Sequence, residues 1–229
     1  MIEESVFFRS DRLNLHGVLS YAEDLFLAPA VLLCPPHPQL GGNMDNNVIR
    51  AIHNLLAAND FVSFRFDYRG VGRSEGDAEM EVDSLKAFWE DSHSPLDLPR
   101  QQDAMAAFDY LRRMPGINQR ELSLVGYSFG AHAALQIAAD APWLAAMVLV
   151  APTLHFHDFD RLDSLTIPKL IVWSDNDFSC PQDHYTKRFR DFAAPKEHLV
   201  FPGADHFFIG HEAALSHRVL QFLKGRLNA

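Results

Sequence analysis

The sequence predicts an α/β protein built on a mostly parallel sheet of about eight strands, with helices on both faces. Two observations carry this. Short apolar runs such as "VLLCP" (31–35), "LAAMVLVAP" (144–152) and "KLIVWSD" (169–175) alternate with longer segments of helical periodicity. Strands that are apolar on both faces belong to parallel sheets covered on both sides. A third observation sets one edge. "SVFFRS" and "LNLHGVLSYA" follow one another with no helix between them and read as an antiparallel hairpin.

The elements follow in order. "NVIRAIHNLLAAND" (47–60) places Val48, Ile52, Leu55 and Leu56 on one helical face. "FVSFRFDY" (61–68) is a strand. "RQQDAMAAFDYLRRM" (100–114) is a helix stopped by Pro115-Gly116. "LSLVGY" is a strand and "GAHAALQIAADA" a helix ended by Pro142. "PQDHYTKRFRDFA" (181–193) is a helix opened by proline, "EHLVFPGA" (197–204) a strand, and "EAALSHRVLQFLKGRL" (212–227) a closing helix. There is no internal repeat, linker or low-complexity tract, so a single domain over 1–229 is expected.

One segment breaks the rhythm. The connection at 74–99 is long for a compact domain and holds eight acids: Glu75, Asp77, Glu79, Glu81, Asp83, Glu90, Asp91 and Asp97. Val82, Leu85 and Trp89 fall at helical spacing within it. It reads either as a solvated excursion or as a lid, with Phe88 and Trp89 as its apolar contacts.

Composition excludes several functions. With 48% hydrophobic residues, the 229-residue chain can build a sizeable core. A formal net charge of −10 disfavours nucleic acid and anionic membranes, because phosphate binding needs clustered Lys and Arg. No apolar run approaches the ~20 residues that span a bilayer. "MIEESVFFRSDRLNL" lacks the apolar core of a signal peptide, so a cytoplasmic protein is expected. The two cysteines, Cys34 and Cys180, allow one disulfide that a chain of this size does not need.

The chemistry is concentrated in Gly126-Tyr127-Ser128-Phe129-Gly130, where a strand becomes a helix. A serine there sits at the C-terminal edge of a parallel sheet, where such sheets bind ligands. Glycines at both flanks permit a turn too tight for side chains, and the serine is held in a strained conformation with its hydroxyl exposed. The following helix aims its unpaired N–H groups at negative charge developing there.

A serine nucleophile needs a base and an orienting acid, in the chain order Ser, Asp or Glu, His. After "KLIVW" come Asp175 and Asp177; after "HLVFP" comes His206. Asp177, further into its loop, is the favoured acid, with Asp175 as a turn or supporting residue. His206 is the favoured base. His211 falls in or beside the last helix, His132 is a packed helical histidine, and Asp205 is a turn residue. His155 and His157 lack a third ligand at metal-binding spacing and read as surface residues, so no metal is expected.

Oxyanion donors are expected from the Phe129 N–H and from the loop "CPPHPQLGGNMDN". Pro35, Pro36 and Pro38 have no N–H, which leaves His37, favoured, and Gln39. The His37 imidazole either lines the pocket or packs within the turn. Gln39 and Tyr127 are further pocket candidates. "FRFDYRGVGRSEG" superficially suggests a dinucleotide loop, but its spacing is G-x-G-x-x-x-G, so it reads as a scaffold turn and no nucleotide cofactor is expected.

Taken together, "GYSFG", "FDYRGVGRSEG", "SDNDFSCP" and "PGADHFF" resemble the landmarks of the α/β-hydrolase superfamily, in order and over nearly the whole chain. "PPHPQLGGNMDN" with "RFDYRGVGRSEG" is most similar to small bacterial dienelactone-hydrolase-like and carboxylesterase-type serine hydrolases. Two features depart from that pattern: Pro35 stands where the first histidine of an HPHP-type loop would be, and the connection after Gly76 is long and acidic. The resemblance implies hydrolysis of a small-molecule carboxylic ester, or a thioester, by Ser128, His206 and Asp177, with no cofactor. The alternatives are acyl transfer, peptide or carbon–carbon cleavage with the same triad, or a non-catalytic binding protein. Acids facing the pocket would disfavour acyl-CoA, and an apolar face on the excursion would allow a homodimer.

Overall fold

The computed structural model describes residues 1–24, 26–77, 86–87 and 94–227. Its eight described strands form one sheet in the order β1-β2-β4-β3-β5-β6-β7-β8. Strands β1 (Ile2–Ser10) and β2 (Leu13–Tyr21) make the expected edge hairpin, and β2 pairs antiparallel with β4 (Val62–Phe66). From there every pairing is parallel: β4 with β3 (Ala28–Cys34), β3 with β5 (Ile117–Tyr127), then β6 (Ala146–Val150), β7 (Lys169–Asn176) and β8 (Lys196–Asp205).

The pleat sorts each central strand between two cores. Leu32, Leu124, Met147 and Leu149 face one side, where helices α2 (Asp97–Arg112), α3 (Phe129–Asp140) and α4 (Gln182–Asp191) lie. Val31, Leu33, Val125, Val148 and Val150 face the other, under α1 (Asn47–Ala57) and α5 (Glu212–Lys224). Helix α1 begins where the Asn46 side chain accepts from the Val48 and Ile49 N–H groups. Helix α2 starts at Asp97, three residues earlier than its sequence pattern suggested. Pro99 is compatible with a first helical turn, whose N–H groups have no intrahelical partner. Strand β5 starts five residues before "LSLVGY", because the polar stretch from Asn118 to Glu121 continues the strand.

Residues 78–85 and 88–93 lie outside the described residues, and with them Phe88, Trp89 and the helix expected around Val82 and Leu85. Both cysteines are buried and free, so no disulfide joins them. Among the described residues no helix is long and apolar enough to cross a membrane, and no group of three or more His, Cys, Asp or Glu side chains could hold a metal ion.

His53 sits fully buried between the Ser20 and Ser63 hydroxyls, at 2.8 and 2.9 Å. Burial, reinforced by nearby Arg65, pulls its pKa down to about 3. The unfolded chain therefore binds a proton in the window from about 6.5 down to about 3 that the folded chain refuses. Stability present above pH 6.5 is lost as pH falls through that window. His53→Gln is expected to flatten this acid slope by up to about 1.4 kcal/mol per pH unit, measured by urea unfolding from pH 7 to 4.

Candidate active site

Parallel strand ends bring the candidate residues together. Strand β5 turns into α3 through Gly126 and Gly130. A Cβ on Gly126 would strike the carbonyl oxygen of Gly130 and come within 2.6 Å of the Ala131 Cα. A Cβ on Gly130 would strike the Cys34 carbonyl oxygen on the next strand. Only glycine allows this approach. Between them Ser128 has φ 57° and ψ −120°, a left-handed conformation rare for a residue with a side chain. Its N–H donates to the Val150 carbonyl at 2.9 Å, which ties the elbow to β6.

The Ser128 Oγ lies 3.0 Å from His206 Nε2, and His206 Nδ1 lies 2.8 Å from Asp177 Oδ1. All three residues are buried. His206 follows the end of β8 and Asp177 the end of β7. Asp175 is elsewhere: its carboxylate is exposed and accepts the Gly203 N–H at 2.8 Å, clasping the ends of β7 and β8. Asp205 makes the local turn, accepting the Phe207 N–H at 2.9 Å. His211 immediately precedes α5.

Tyr127 does not line the cavity. Its ring packs on the opposite side of the sheet, buried, and its hydroxyl donates to the His206 carbonyl at 2.8 Å. The strand that carries the serine thus also fixes the histidine's loop. An odd–even count along β5 exposes the distinction, because adjacent strand residues face opposite sides.

The loop after β3 is held by a buried polar network. His37 Nε2 lies 2.8 Å from Asp97 Oδ1, while its Nδ1 accepts the Gln39 N–H at 3.2 Å. That pattern makes Nε2 the donor and the ring neutral. Burial pushes the His37 pKa down against the pull of Asp97. Burial also drives Asp97 upward, but its bonds to His37 and to the Ser94 N–H outweigh this and hold it below the usual carboxylate range. Arg100, fully buried, reaches the Gln39 side chain at 2.7 Å and Asp97 at 3.8 Å. Gln39 is therefore engaged at both its N–H and its side chain, and it does not line the cavity. Asp97, counted among the acids of the excursion, belongs instead to this network, as does Arg100.

A cavity of about 210 Å³ opens over Ser128 and His206. Leu40, Phe129, Phe156 and Phe178 supply apolar walls; His37, Thr153, His157 and Ser179 are the other polar residues. His157 is half-buried, with Nδ1 at 2.8 Å from the Thr153 hydroxyl, rather than a surface residue; His155 is exposed as expected. His132 packs behind His157, in α3 between the Gln101 and Gln136 amides. Neither cysteine competes as a nucleophile. Burial raises both thiols, Cys180 to about 12.

The serine elbow set in this mostly parallel sheet defines an α/β-hydrolase fold. Comparison with known proteins gives the same answer. A protein of unknown function from Agrobacterium tumefaciens superposes with a TM-score of 0.83 at 25% identity, covering 98% of this chain and 97% of that one. An alpha-beta serine hydrolase homologue from Coxiella burnetii gives 0.80 at 25% identity, covering 96% and 97%. The dienelactone hydrolase family model matches residues 25–219, and the chain belongs to that family. An uncharacterized protein of Rickettsia prowazekii is 30% identical over 189 residues, covering 79% of this chain and 72% of that protein.

Proposed function

We propose that this protein is a serine hydrolase that cleaves a small carboxylic ester through an acyl-enzyme. The observation that carries the reading is the relay from Ser128 Oγ to His206 Nε2 and from His206 Nδ1 to Asp177, at 3.0 and 2.8 Å, on a strained elbow. A family named for hydrolysis of a dienelactone, a cyclic ester, supports the same bond type.

The steps follow from the geometry. His206 Nε2 takes the Ser128 hydroxyl proton as Oγ bonds to the carbonyl carbon. Asp177 orients the imidazole and stabilises its charged form. The carbonyl oxygen, now negative, is held by the N–H of Phe129, at the first turn of α3, and by the N–H of His37. Collapse breaks the bond to the leaving oxygen, which receives the proton from Nε2. Water then loses a proton to His206 Nε2 and attacks the acyl carbon; the bond to Ser128 Oγ breaks, Oγ takes that proton back from Nε2, and the acid leaves. The cavity volume suits a small substrate.

The test is a panel of neutral aryl and alkyl esters, matched thioesters and acyl-CoAs, with acid and alcohol or thiol quantified separately. Equimolar acid and alcohol from neutral esters is the expected result. A clear preference for acyl-CoA, or acyl transfer in place of acid release, would defeat the reading.

The His37 network makes a further prediction. Asp97→Ala leaves a buried imidazole N–H without its acceptor and loosens the loop that carries the His37 N–H. Steady-state kinetics should show kcat down by about tenfold or more with KM changed less, because the lost contact matters most when the oxyanion forms.

A further inference from the structure

Asp177 Oδ1 receives three donors. One is His206 Nδ1–H at 2.8 Å; the others are the main-chain N–H of Ser179 at 2.8 Å and the Ser179 hydroxyl at 2.7 Å. Among the described residues no group bonds the other carboxylate oxygen, which is buried. Ser179 is itself buried, and its Oγ lies 3.2 Å from His206 Nδ1. A hydroxyl has one hydrogen and two lone pairs. The shorter bond gives that hydrogen to Asp177, and a lone pair remains toward the imidazole N–H.

We propose that Ser179 is a positioning residue of the relay, whose hydroxyl fixes the Asp177 carboxylate and moderates its hold on His206. This rests on the function proposed above. Nothing in the order of strands and loops requires a hydroxyl two residues after the acid. The main-chain N–H alone would close the local turn. The hydroxyl adds a second bond to the same oxygen and draws electron density from the bond to His206.

The sign follows from the two distances. Removing the 2.7 Å donor leaves a more basic carboxylate beside the imidazolium, and this outweighs loss of the longer 3.2 Å contact. His206 should then hold its proton to higher pH. The other groups facing it keep their places. Asp205 adjoins it at the end of β8, and Tyr127 on β5 is kept neutral by burial. His37 and His157 line the same cavity, and Cys180 beside Asp177 is kept as a thiol.

The test is the second-order rate of fluorophosphonate labelling from pH 5 to 9 for wild type, Ser179→Ala and Ser179→Thr, with thermal unfolding of each. Alanine retains the main-chain N–H, so the local turn survives. The expected result for Ser179→Ala is an acid limb moved upward by about half a pH unit, with a plateau lowered about threefold to tenfold. Threonine, which keeps the hydroxyl, should restore the wild-type limb. A folded alanine variant whose acid limb superimposes on the wild type's, or moves downward, would overturn the proposal. So would a threonine variant that behaves like alanine. A folded wild type that takes no label would instead overturn the proposed function itself.

Discussion

His206→Ala is expected to lower kcat/KM for an ester substrate by about four to six orders of magnitude while leaving the fold in place. A serine hydroxyl at neutral pH is a weak nucleophile, and in the proposed mechanism the nitrogen 3.0 Å from Ser128 Oγ accepts its proton. The proposed mechanism has the same nitrogen return the proton to the leaving group, so both halves of the reaction would lose their proton carrier at once. The His206 side chain is not what anchors its own loop. Tyr127 binds the main-chain carbonyl of residue 206, a contact that alanine retains. The melting temperature should therefore move by only a few degrees, while progress curves fall to the residual rate left by the oxyanion donors and binding alone. Loss of activity of less than about a hundredfold would mean that another group serves as the base.

Gly130→Ala should damage both stability and turnover. The added methyl would collide with the Cys34 carbonyl and come within 2.5 Å of the Pro35 carbonyl oxygen. These are main-chain atoms of the central sheet and its exit loop, and they cannot swing aside as a side-chain tip would. Overpacking of this kind costs about 3 kcal/mol or more. For a chain of this size that corresponds to roughly 6–12 °C in Tm. Whatever relief occurs must move Cys34 and Pro35, which lead directly to His37, so kcat should fall even in molecules that fold. Gly225→Ala is the control. Its added methyl meets nothing closer than 3.4 Å, so Tm and kcat should be nearly unchanged.

Much of this was legible in the sequence because it is local. Apolar runs of strand length, the edge hairpin and the Gly-Tyr-Ser-Phe-Gly turn each depend on neighbouring residues. Strand-end placement narrowed the acid to the Asp175 and Asp177 pair, and the structure brings Asp177 to His206 while Asp175 clasps β8. What escaped depends on long-range contact. Asp97 sits among seven other acids in a polar connection, and nothing nearby marks it as the partner of His37, sixty residues earlier. Arg100 carries no sign of burial in a helix whose apolar face is weakly defined. Tyr127 adjoins Ser128 in sequence, which suggests the pocket, yet strand alternation turns it to the other face. His157 looks like a surface residue in sequence, because a histidine in a loop gives no sign of the Thr153 hydroxyl 2.8 Å from its Nδ1.

Intact-mass measurement after fluorophosphonate treatment tests whether Ser128 is an activated nucleophile. It requires no knowledge of the substrate. One added phosphonyl group is expected on the wild type, mapped by peptide analysis to Ser128, and none on Ser128→Ala. A folded wild type that stays unmodified, or a Ser128→Ala variant labelled to the same extent, would contradict it.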